Sequence, residues 1–172
     1  MSKTIATTAW LVLVLFLVLG MLIGAPSPLA ASDSPDERAS LKGVGAISLV
    51  LEDLAPAAQK YGLTGAPLQN EITQRLQRAG IVVRQEADPY LYVQITVADP
   101  GGSLPPAYSI QVMLMQEVAL PRGLNAHFQA PTWWLSSLGV AGADRLSQSA
   151  GGKVQEFVDQ FIKAYVSVNP KP

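Results

Sequence analysis

The sequence predicts an α+β fold: a two-layer sandwich in which a mixed or mostly antiparallel sheet of about four to five strands carries two main helices on one face, preceded by an apolar leader helix. Three observations predict it. An uncharged apolar opening gives way to a short polar stretch. Two longer segments repeat their apolar residues at helical spacing. Between them lie short segments in which apolar and polar residues alternate, the signature of half-buried strands.

The opening, "WLVLVLFLVLGMLIGAPSPLAAS", runs from Trp10 to Ser32. Lys3 supplies a basic start and no residue from Ala9 to Gly24 is charged, which is the order of an export signal. With Ile5 to Thr8 included, the stretch reaches the ~20 residues a membrane-spanning helix needs, while its strongly apolar core is closer to signal-peptide length. Pro26 and Pro28 end the helix, and Ala30-Ala31-Ser32 offers small residues for cleavage before Asp33. Residues 1–32 therefore read as a signal peptide or a membrane anchor. Either way Asp33 onward is expected outside the cytoplasm, with Asp33, Asp36 and Glu37 on the exit side and Lys3 on the entry side.

Residues 33–40 are small, polar and charged and read as a solvated linker; the domain is expected over 41–169. "VGAISLVLEDL" is rich in branched apolar residues, bounded by Gly43 and Pro56, and reads as a buried strand over Val44 to Leu51. Leu68, Ile72, Leu76 and Ala79 recur at helical spacing until Gly80 caps the segment. "IVVRQ", Ile81 to Gln85, reads as a short strand. "PYLYVQITVAD" alternates Leu91, Val93, Ile95 and Val97 with Tyr90, Tyr92, Gln94 and Thr96. After the turn residues "DPGGSLPP", a further strand puts Ile110, Val112, Leu114, Val118 and Leu120 in the core parity and Ser109, Gln111, Met113, Met115 and Glu117 in the other. "NAHFQAPTWWLSS" reads as a strand in which Pro131 marks an edge or a bulge. A helix from Ser147 to Ser167 closes the order, its stripe formed by Val154, Phe157, Val158, Phe161, Ile162 and Tyr165.

Composition narrows the function classes. With no Cys, no disulfide can staple the fold and no lipid can be attached to an amino-terminal Cys, so stability rests on an ordinary core. Taking Lys3 from the 12 Lys and Arg leaves 11 against 13 Asp and Glu, a net −2 for the exported part, with no basic cluster to hold nucleic acid or a polybasic membrane contact. His127 is the single His, so neither a multi-His metal set nor a Cys/His pair can form, and no G-x-S-x-G elbow supports a serine triad. "GVGAIS" precedes a strand rather than following one, and "SAGGKV" lacks the first Gly and the Ser/Thr of a phosphate loop. Adjacent Glu52 and Asp53 point to opposite faces of a strand and are poorly placed to share a proton. No catalytic residue, cofactor or metal ligand is therefore expected.

The element order, with "LQNEITQRLQRAGIVV" feeding a strand hairpin, resembles two small envelope domains over Leu41 to Asn169: the lipopolysaccharide-assembly lipoprotein of the outer membrane and the amino-terminal domain of the Tol-Pal propeller protein. The absent lipidation Cys departs from the first of these. The resemblance implies assembly or binding in the cell envelope rather than catalysis.

One constellation answers to that. The face opposite Leu91, Val93, Ile95 and Val97 carries Tyr90, Tyr92, Met113 and Met115 among Gln94, Thr96, Gln111 and Glu117, and Trp133 can join it. Two readings stay open: an interface for an envelope protein partner, or a second small core closed over by loops. The opposite parity of Trp133 and Trp134 puts one ring in the core and one nearer solvent, with Pro131 leaving the phase open. The expected function is a non-catalytic extracytoplasmic binding or assembly module, tethered or secreted and in contact with the membrane if the leader is uncleaved. The alternative is a carrier of a small apolar or lipid ligand between sheet and helices.

Overall fold

Alternation builds the sheet. In the computed structural model, which describes residues 33–120 and 126–170, the fold is α+β with one four-stranded mixed sheet and four described helices. In chain order these are α1 (Pro35–Ser40), β1 (Ser48–Leu51), α2 (Pro56–Lys60), α3 (Gly65–Arg78), β2 (Tyr90–Ala98), β3 (Ala107–Ala119), β4 (His127–Val140) and α4 (Leu146–Val168). The strands lie in the order β1-β2-β3-β4. β1 runs parallel to β2 because α2 and α3 carry the chain back between them, whereas β2 with β3 and β3 with β4 form antiparallel pairs. The apolar leader lies outside the described residues. Among those described, no helix is long and apolar enough to cross a membrane.

The predicted core face is buried: Leu91, Val93, Ile110, Val112, Leu114 and Leu135 have no exposed surface, and Ile95 and Val97 retain little. Leu68, Ile72 and Leu76 of α3 and Val154, Phe157, Val158 and Phe161 of α4 enter the same cluster, as their helical spacing requires. Each such side chain contributes roughly 1.5–3 kcal/mol on leaving water. Gly80, at φ 84°, ends α3 in the left-handed region, and the Ile81 amide donates to the Leu76 carbonyl at 3.0 Å. Arg75 ties the two main helices through Asp159 and Gln155.

Four expectations change. The polar stretch before the domain holds α1, capped by Ser34 and Glu37 in a reciprocal capping box. Its leading Asp33 accepts from Trp133 Nε1 at 3.2 Å, which fastens the stretch to the domain. "IVVRQ" forms no strand: Val83 makes one isolated parallel bridge with Ile47, and the chain then turns at Gln85–Glu86 toward Pro89, which has no amide hydrogen to donate. The first strand is correspondingly short, beginning at Ser48. Finally, Leu120 is 45 % exposed despite its core parity, because β3 and β4 run on as a two-stranded ribbon after Met115, where β2 pairing ends.

Candidate functional site

The face turned away from the helices is built row by row from the strand register. One row runs Val50, Tyr92, Met113, Trp134 across all four strands; beside it lie Ser48, Tyr90, Met115 and Pro131. Gln94, Gln111 and Ser136 form the next row, and Thr96, Ser109 and Leu138 the one after. Aromatic rings and thioethers therefore concentrate at one end and uncharged polar groups in the middle, while Trp134, Leu138 and Val140 continue an apolar strip along β4. Tyr90, Tyr92, Met113 and Met115 are half-buried, and the side chains packed on the main core do not include them. Val50 and Trp134 are 41 % and 39 % exposed.

Trp133, expected on this face, is a core residue and not part of the site. It is fully buried and meets the Phe161 ring edge-on at 5.1 Å between centroids. The cause is a bulge in β4: Leu114 pairs with Trp133 but Met115 pairs with Pro131, so Thr132 has no partner in the ladder and the parity steps by one residue. Gln116 Nε2 donates to the Thr132 hydroxyl at 2.8 Å and holds the bulge. Trp134 takes the place on the open face. Sequence reasoning reached the Trp pair and its split, but the phase depends on where the extra residue falls, which Pro131 marks only to within a position or two. Val50, Leu138 and Val140 went unnoticed because β1 pairing and the far reach of β4 are set by register.

Charge touches this face at two places. The Tyr92 hydroxyl donates to Glu52 Oε2 at 2.6 Å, and this hydrogen bond to the carboxylate, with some burial, pushes the phenol up to about 12. Glu52 is thus a partner that orients the Tyr92 ring and keeps it protonated. At the ribbon end His127 Nδ1 lies 2.6 Å from Glu117 Oε1, both well exposed. Among the described residues no group of three or more His, Asp or Glu is placed to hold a metal ion.

Two surface pockets of about 540 Å³ lie at opposite ends of the sheet rather than under it. One is lined by Lys42, Arg84, Glu86, Asp88 and Gln116; the other lies beside Glu52, Asp53 and the start of α3. The layer between sheet and helices is filled by Val93, Val112, Trp133 and Phe161, all buried. No protein-family model matches the sequence, and a search of curated proteins returns no match.

Proposed function

We propose that this chain is a non-catalytic extracytoplasmic binding or assembly module of the cell envelope, tethered by its leader or secreted, which docks a protein partner on the open face of its sheet. The architecture is read as a two-layer sandwich, helices on one side and the binding surface on the other. The observation that carries the reading is the row Val50, Tyr92, Met113 and Trp134. It is a contiguous surface of aromatic, thioether and aliphatic side chains, with no described helix packed on it, bordered on one side by Gln94, Gln111 and Ser136 and touched by the Glu52 carboxylate at Tyr92. That composition suits the centre of a protein interface, where charge is depleted and Tyr, Trp and Met are enriched. The leader supports the compartment. The carrier reading has less support, because buried Val93, Val112, Trp133 and Phe161 occupy the layer between sheet and helices and the two pockets described open elsewhere.

The test uses full-length protein in its native cells, with a photo-crosslinking residue at Met113 or Trp134 and, as control, at exposed Lys163 on α4. A discrete protein adduct from the first two positions and not the third is expected. A lipid adduct would favour the carrier, and equal labelling at all three would overturn the docking face. Mass spectrometry of the same material reads the leader. An amino terminus near Asp33 means secretion and an intact Met1 or Ser2 means an anchor.

A further inference from the structure

β4 is the outer strand of the sheet, and its free edge is unevenly defended. At the Pro131 end three devices block strand addition. Proline offers no amide hydrogen, the Thr132 bulge breaks the ladder, and Ser40 of α1 donates its hydroxyl to the Thr132 carbonyl at 3.2 Å. Past Trp133 all three stop. No charged residue occurs from Phe128 to Ala143, so the Lys or Glu that usually guards a long edge is missing. The opposite edge, β1, is only four residues long and is followed by Glu52 and Asp53.

The ladder phase identifies the free groups. The Ala141 amide donates to the Pro106 carbonyl at 3.3 Å, so going back by twos Gly139, Ser137, Leu135 and Trp133 aim their backbone groups at β3. The alternate residues Trp134, Ser136, Leu138 and Val140 aim theirs outward, where among the described residues no hydrogen bond reaches them. These same residues carry their side chains on the open face, and Leu138 and Val140 are 79 % and 64 % exposed.

We propose that this edge pairs with the same edge of a second copy of the chain, antiparallel about Ser137, joining two sheets into one. This rests on the edge and not on the docking face above, and either can fail alone. About Ser137 the outward residues match among themselves: Trp134 faces Val140 of the second copy and Ser136 faces Leu138. All four free donors on each copy then meet free acceptors, and the most exposed apolar side chains cover one another. The absence of charge favours a second copy in particular, since a two-fold contact sets every charge near its own duplicate and an uncharged strand has none to repel. Ser137 supplies an independent sign. Its hydroxyl is buried without a hydrogen-bond partner, and on the two-fold axis it faces its own copy at the narrow, non-hydrogen-bonded spacing of an antiparallel pair, where two serine hydroxyls bond each other.

The chain has no Cys, so an introduced thiol reads this contact cleanly. Full-length Ser137→Cys, expressed in its native cells and oxidised, is expected to form a disulfide-linked dimer, because a narrow antiparallel pair brings the Cα atoms within disulfide range. Ser136→Cys with Leu138→Cys in one chain, both on the open face, gives a second reading should the Ser137 variant fold poorly. Thr96→Cys, exposed at mid-sheet, is the collision control. Adding Leu138→Arg leaves the β3 ladder intact and is expected to cut the dimer yield by at least about fivefold. Monomer alone from both thiol variants, an equal yield from Thr96→Cys, a yield indifferent to Leu138→Arg, or a disulfide adduct to a different protein would each overturn the proposal.

Discussion

Trp133 and Trp134 are neighbours in the chain and sit on opposite faces of one strand. Trp133 is wholly buried against Phe161, with its indole N–H satisfied by Asp33; Trp134 keeps 39 % of its surface in water beside Met113. The contrast holds along the whole sheet, where Val93 and Val112 are closed in by helices while Tyr92 and Met113, one residue away in each strand, are not. Residue type alone does not explain it, since both faces are rich in large apolar side chains. The lesson is that helices settle which face becomes core, and the face left over can keep an apolar surface suited to a partner.

The sharpest break of this comparison is Trp133→Ala against Trp134→Ala. Removing the buried ring leaves a cavity and takes away the indole hydrogen bond to Asp33, and should destabilise the fold by about 3–5 kcal/mol, whereas the exposed ring should cost under about 1 kcal/mol. Urea unfolding followed by circular dichroism measures both, and equal midpoints would place the two rings in equivalent surroundings. The same contrast one step smaller compares Val93→Ala and Val112→Ala, expected to lose about 1–3 kcal/mol, with Tyr92→Ala and Met113→Ala. The second pair should lose less stability and more of the crosslinked partner. If all four unfold alike, the open face is a second core.

Gly139 marks where the closed face reaches its edge. A methyl group there would stand 2.4 Å from Tyr108 Cζ, since the Tyr108 ring lies over this residue across the β3–β4 pair. Gly139→Ala should therefore displace the ring and cost about 1 kcal/mol or more, while Gly152→Ala, in the interior of α4 with open space around it, should gain roughly 0.5–1 kcal/mol. Thermal unfolding of the two variants should move in opposite directions.

How much of this was legible in the sequence follows from which patterns are local. The helices α3 and α4 and the alternation of β2 and β3 are periodic within one segment, so their core faces could be read directly. What depends on distant partners could not. Val83 reads as strand in composition but finds only Ile47 to pair with before the chain turns. Asp33 to Ser40 reads as linker, although its Ser34-x-x-Glu37 spacing is a capping signal that marks the helix. On the open face Tyr90, Tyr92, Met113 and Met115 follow from parity, whereas Trp134 replaces Trp133 because a bulge at Thr132 changes the phase, and Pro131 signals that bulge without fixing its position. The free edge of β4 is a property of strand order, which no local period encodes.

The smallest effect separates a ring held on the open face from one merely lying there. The Tyr92 phenol is raised from 10.0 to about 12, chiefly by its hydrogen bond to Glu52. A folded-state pKa above the unfolded one contributes stability that is fully present below pH 10 and is lost as pH rises toward about 12, when the tyrosinate would meet the carboxylate. The exposure of the pair keeps the loss modest, and the alkaline window isolates it. Urea midpoints of the wild type should fall between pH 9 and pH 11 by more than those of Tyr92→Phe, which keeps the ring and removes the titrating group. Glu52→Gln should shift the ultraviolet titration of Tyr92 back toward the ordinary phenol range. An unchanged titration would mean that the ring is not oriented by Glu52, and that the row Val50, Tyr92, Met113 and Trp134 is a looser surface than its register implies.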